Sequence, residues 1–220
     1  MTAKPCDPLF DRDCTRCARL AGLLRRVRRE HPDYYAHPVA PFGPQDARLL
    51  VVGLAPGMHG ANRTGRPFTG DFAGVLLYSA LHRYGFASHA GSADPSDGLQ
   101  LIDCRITNAV KCLPPDNKPV PAEIRECNRY LRSELQRVRP AVVLALGRVA
   151  HQAVLIALDR RAAEFPFAHA ARHRLPKGPE LVDSYHCSRY NTQTRRLTEA
   201  MFLAVIADVR SYLDGGGGAR

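Results

Sequence analysis

Leu49-Leu50-Val51-Val52-Gly53-Leu54 runs directly into Ala55-Pro56-Gly57, six residues without a polar side chain, ended by proline and glycine. A strand with one solvated face would alternate apolar and polar residues. An unbroken run is the pattern of a strand buried on both faces, as in a parallel sheet covered by helices. Three further segments read as strands: Leu101 to Cys112, Ala141 to Leu146 and Leu181 to Tyr185.

Helical patterns separate them. Cys14 to Glu30 carries an apolar stripe of Leu20, Leu23, Leu24 and Val27, with Arg25, Arg26, Arg28 and Arg29 on its solvated side. Further helices are predicted over Val75 to Tyr84, from Pro121 onward with Ile124, Cys127, Leu131 and Leu135 on one face, over Val149 to Leu158, and over Thr194 to Leu213. Strands alternating with helices predict an α/β fold, a three-layer αβα sandwich around a central, mainly parallel four-stranded sheet. The 220 residues show no internal repeat and suit one domain over residues 1–214, with a disordered glycine-rich tail at 215–220.

In sheets of this kind the ligand sits beyond the carboxyl ends of the strands. That rule brings together three polar loops: Ala55 to Asp71, Asn108 to Lys118, and His186 to Thr194. The net charge of +10, from 31 Lys plus Arg against 21 Asp plus Glu, favours a polyanionic partner, and nucleic acid is the commonest one in a cell. No apolar run is long enough to span a bilayer and no export leader is evident, so a cytoplasmic, membrane-free protein is expected.

Seven cysteines, an odd count, argue for thiolate chemistry in a reducing compartment rather than for disulfides. Cys14 and Cys17 form a close pair, and Cys112 and Cys127 form a second, distant pair. A local pair meeting a remote pair suits one metal centre with four thiolates, either zinc or an iron–sulfur cluster. Cys6, Cys104 and Cys187 are left over and read as small buried thiols.

The loop after the first strand is the most specific string in the chain: Gly53-Leu54-Ala55-Pro56-Gly57, then Met58 to Gly70, then Asp71. Its glycines let backbone approach a ligand, Phe68 offers a flat apolar surface, and Asp71 supplies a carboxylate. Asp71 also fits a simpler role as the N-cap of the following helix. The string from Gly53 to Asp71 closely resembles the first motif of family five, the type-b branch, of the uracil-DNA glycosylase superfamily. His186, Ser188, Asn191, Thr192, Thr194, Arg196, Leu197 and Thr198 match a second motif of that family. The segment from Asn108 to Lys118 is similar to its middle motif, and the four paired cysteines match its 4Fe–4S ligands.

The resemblance implies a monofunctional glycosylase that flips uracil, or another deaminated base such as hypoxanthine, out of double-stranded DNA and hydrolyses its N-glycosidic bond. It assigns Asp71, His186 and Asn117 to catalysis, and Gly53, Ala55, Phe68 and Asn108 to the base pocket. Asn62, Arg63, Ser188, Arg189 and Asn191 are then expected on DNA, and Cys14, Cys17, Cys112 and Cys127 on a 4Fe–4S cluster, in a monomeric enzyme. A histidine donor suits the departing uracil anion, and a carboxylate suits the cationic sugar or its attacking water. The chain departs from the family pattern in places: Leu54 stands where family-four relatives carry a glutamate, Asn108 where family five often has a small residue, and Arg195 where glycine is usual. A non-catalytic, zinc-stabilised nucleic-acid-binding module is the competing reading.

Overall fold

The computed structural model describes residues 10–215; Cys6 and the tail beyond Gly215 lie outside them. Five strands form one sheet: β1 (Leu49–Gly53), β2 (Cys104–Asn108), β3 (Val142–Leu146), β4 (Arg172–Arg174) and β5 (Glu180–Ser184), in the order β2-β1-β3-β5-β4. All neighbouring pairs are parallel except β4 against β5.

The helices are α1 (Ala18–Glu30), α2 (Ala61–Thr64), α3 (Phe72–Arg83), α4 (Pro121–Val138), α5 (Arg148–Ala157), α6 (Arg189–Gln193) and α7 (Glu199–Asp214). Alternation along β1 sorts them into layers, because successive side chains point to opposite faces. Leu49 and Val51 pack with Leu77 and Leu81 of α3 and with Phe202 and Ile206 of α7. Leu50 and Val52 pack with Leu131 and Leu135 of α4 and with Ala153 and Val154 of α5. Every residue of β1 is buried, and each Leu or Val removed from water contributes on the order of 1.5–3 kcal/mol. The three-layer αβα architecture is as expected.

Four of the five strands were expected; β4 was not. Arg172-His173-Arg174 has no apolar run, because an edge strand needs only one row of backbone partners and leaves two of its side chains exposed. Its antiparallel pairing with β5 is reinforced by His173 Nε2, 2.9 Å from an Asp183 oxygen, while the other Asp183 oxygen lies 2.7 Å from His151 Nδ1 on α5.

The helix expected from Thr194 begins later. Arg195 has φ +54°, a left-handed conformation that ends the short α6, and Thr198 restarts the chain by accepting the Met201 amide as N-cap of α7. Glycine would take that conformation without steric cost. Similarly, α1 starts at Ala18, leaving Cys14 and Cys17 in the segment before it. No helix among the described residues is long and apolar enough to cross a membrane.

Candidate active site

β1 lies between β2 and β3, so the chain leaves its carboxyl end toward both sides of the sheet, and a crevice opens there. A cavity of about 660 Å³ occupies it. Ala55, Phe68, Asp71, Asn108, Asn117, His186, Ser188, Arg189 and Asn191, all expected from the sequence, line this one space.

Gly53 ends β1 as the floor between two of them. A Cβ at this position would stand 2.6 Å from the Phe68 ring and run into the Asn108 side-chain oxygen. Phe68 itself is buried at φ +53°, a conformation that bulky residues adopt at a cost of order 1–3 kcal/mol and that recurs at functional sites. Its carbonyl lies where a side chain on Gly74 would have to go, so glycine is required there. The Phe68 ring faces the imidazole of His186 at 5.9 Å with an interplanar angle of 27°.

Two polar atoms at the cavity have no partner. Asn108 Oδ1 and His186 Nδ1 are both buried and unbonded, a state costing about 1–3 kcal/mol each unless a ligand satisfies it. Burial lowers the His186 pKa to about 4, so the ring is a neutral donor and acceptor at ordinary pH. Asp71 lines the cavity and also caps the following helix. One carboxylate oxygen caps α3 by accepting the Gly74 amide at 2.8 Å. The other points toward Gly60, where a side chain would collide with it. Burial raises the Asp71 pKa, partly offset by backbone amides of Gly74 and Ala73.

Asn117 sits exposed at the rim in a left-handed conformation, at the end of the turn Pro115–Asn117. Ser188 and Asn191 do structural work in the loop they line: Ser188 caps α6, and Asn191 Nδ2 donates to the His186 carbonyl at 2.8 Å. Two residues expected on DNA do not line the cavity: Asn62 on α2 is fully buried, and Arg63 donates to the His59 carbonyl at 2.8 Å.

The cavity also has a wall the sequence reading missed, Leu146, Gly147, Arg148 and Val149 from the end of β3 into α5, together with Phe167 and Tyr185; Arg196 of the second motif joins it. The rule that ligands collect at strand carboxyl ends applies equally to the loop after β3, and would have included Gly147 and Arg148. Lys111 was missed as a separate feature. It is 1% exposed, and its ammonium donates to the Asn108 carbonyl at 3.0 Å and to Thr107 Oγ1.

Behind the sheet, Cys14, Cys17, Cys112 and Cys127 line a single small cavity with Lys111 and Tyr130. Burial, and next the neighbouring Cys127, raise the Cys17 pKa to about 11; burial likewise pushes Cys112 and Cys127 up. Raised in this way the groups stay protonated at ordinary pH, and a bound metal is what would turn them into thiolate ligands. The Lys111 backbone amide donates to Cys127 Sγ at 3.2 Å, supplying the kind of contact that tunes sulfur ligands. Elsewhere among the described residues, ligand atoms of His151, His173 and Asp183 lie within 4.8 Å of one another, the two histidines sharing the Asp183 carboxylate.

Comparison with known proteins bears on all of this. Residues 40–210 match the family model described as the uracil DNA glycosylase superfamily. The chain is 46% identical over 204 residues to the type-5 uracil-DNA glycosylase of Thermus thermophilus, covering 90% of this chain and 92% of that protein. It is 40% identical over 208 residues to the type-5 uracil-DNA glycosylase of Pyrobaculum aerophilum, covering 93% and 90%. Similarity to the type-4 uracil-DNA glycosylase of Archaeoglobus fulgidus is shorter, 37% over 118 residues, covering 53% of this chain and 52% of that protein.

Proposed function

The chain belongs to the uracil-DNA glycosylase superfamily, and we infer that it is a DNA repair enzyme that excises uracil by hydrolysing the N-glycosidic bond. The observation that carries the mechanism is the pairing of two unsatisfied buried polar atoms, on Asn108 and His186, with the Asp71 carboxylate at one cavity.

A base inside a duplex is out of reach, so the nucleotide rotates out of the stack into this cavity. Phe68 stacks on the base, and the Asn108 amide reads its polar edge, which differs between uracil and cytosine. As the C1′–N1 bond breaks, its electron pair leaves with the base, and negative charge grows on O2. Neutral His186 donates a hydrogen bond to that oxygen, a contact worth most when the charge has developed. Asp71 faces the cationic sugar with the carboxylate oxygen that does not cap α3. Water adds to C1′ and gives its proton to the Asp71 carboxylate, which passes it on through solvent to the released uracil anion, while Asn117 at the rim orients the water.

We assign Cys14, Cys17, Cys112 and Cys127, which line one cavity, to a 4Fe–4S cluster: thiolates are the ligands such clusters take, and the four match the cluster ligands of the family that the chain resembles. The cluster would tie the N-terminal segment to the start of α4. Deaminated purines such as hypoxanthine are admitted by the cavity's volume, and the Asn108 amide restricts the choice. The deciding experiment is release of free base from duplexes carrying a single uracil, hypoxanthine or mismatched thymine. Uracil release is expected; no release from any of them would overturn the reading.

A further inference from the structure

Seven arginines lie over aromatic rings, and they divide by what holds their charge. Arg66 over Phe42, Arg172 over Tyr212 and Arg210 over Phe86 each also pair with carboxylates: Asp97, Glu180 with Asp208, and Asp103 with Asp214. Arg12 over Tyr35 lies beside the N-terminal cysteines. The remaining three surround the cavity: Arg148 over Phe167 at 5.9 Å, Arg189 over Phe72 at 5.3 Å and Arg196 over Tyr185 at 4.7 Å. All three are exposed, and no carboxylate among the described residues pairs with any of them.

A guanidinium resting on a ring is held in place while its N–H edge stays free, and that edge matches two oxygens of a phosphate. Carboxylates occupy that edge in Arg66, Arg172 and Arg210; at the cavity it is vacant. The rings themselves are poor platforms for a further base, since the Tyr185 ring already carries Arg196 and a stacked His169 at 5.0 Å.

We propose that Arg148 and Arg196, which line the cavity beside the neighbouring rings of Phe167 and Tyr185, form a phosphate clamp for the strand that carries the flipped nucleotide, with Phe167 and Tyr185 as the supports that hold the two guanidiniums. Arg189 grips the same backbone from α6. This rests on the glycosylase reading, and the occupant is the phosphodiester backbone of DNA flanking the extruded base.

The test is the salt dependence of binding to a uracil-containing duplex by Arg148→Gln and Arg196→Gln, with Arg174→Gln on β4 as a control of equal charge change. Each neutralised phosphate contributes about one unit of slope in log affinity against log salt. Each cavity variant should lose roughly one unit and raise KM severalfold more than it lowers kcat, and the control should lose much less. Arg148→Lys should recover the slope but only part of the affinity, because a point charge keeps the attraction and lacks the fork. Slopes in both glutamine variants equal to that of Arg174→Gln would overturn the clamp. Failure of the glycosylase reading would look different: the wild-type protein would bind DNA and release no uracil.

Discussion

Asp71 accepts the Gly74 amide at 2.8 Å through one carboxylate oxygen and directs the other toward Gly60, so a single side chain both caps α3 and faces the cavity. The two duties can be separated chemically. Asparagine caps helices about as well as aspartate, whereas alanine gives up about 0.5–2 kcal/mol. Asp71→Asn should therefore keep wild-type stability and lose uracil excision by roughly a hundredfold or more in single-turnover rate. Asp71→Ala should be slow and also less stable. Wild-type rate in Asp71→Asn would reduce Asp71 to a cap and move attention to Asn117.

His186 is held neutral by burial down to about pH 4. The single-turnover rate should then pass through pH 6.5, the ordinary histidine value, without an inflection from this residue. The unfolded chain takes up a proton near 6.5 and the folded chain only near 4. The contribution to stability is thus fully present above 6.5 and is lost as pH falls through that window. Denaturant midpoints measured at pH 7 and pH 5 should fall further for the wild type than for His186→Gln.

The cysteine centre is checked by composition. Purified protein should be yellow-brown with four irons and four sulfides per chain, and a Cys112→Ser, Cys127→Ser double variant should lose both colour and iron. Undiminished iron in the double variant would rule out these ligands. A colourless protein carrying zinc would rule out the cluster.

Gly53→Ala tests the floor of the pocket. The backbone tolerates alanine in a strand, but the added methyl would displace the Phe68 ring and the Asn108 amide together. Misplacement of reacting groups by about 1 Å costs on the order of a hundredfold. Excision should drop by at least tenfold while the circular dichroism spectrum stays native.

Arg195→Gly should stabilise the protein. It keeps the left-handed conformation but removes its cost to an L-residue, about 1–2 kcal/mol, and gives back about 0.5–1 kcal/mol in unfolded-chain entropy. The net gain of roughly 0.5–1 kcal/mol should appear as a raised thermal midpoint.

Local pattern determined the layered α/β fold, because each buried strand announces itself as an apolar run and each helix as a 3.6-residue stripe. Leu49 to Gly53 is legible in this way; Arg172 to Arg174 is not, since an edge strand is held by pairing to β5 rather than by its own side chains. The motif loops likewise fell in the sequence as contiguous strings, so Asp71, Phe68, Asn108 and His186 were found before their geometry was known. What only the tertiary structure decided are relationships between residues far apart in the chain. Gly53 is a floor because Phe68 and Asn108 close over it, and Asn62 is fully buried rather than part of the cavity lining. Arg148 and Arg196 lie over rings as Arg172 and Arg210 do, but line the cavity and have no carboxylate paired with them. An arginine's type is written in the sequence; whether its charge is already spoken for depends on which distant side chains the sheet brings within reach.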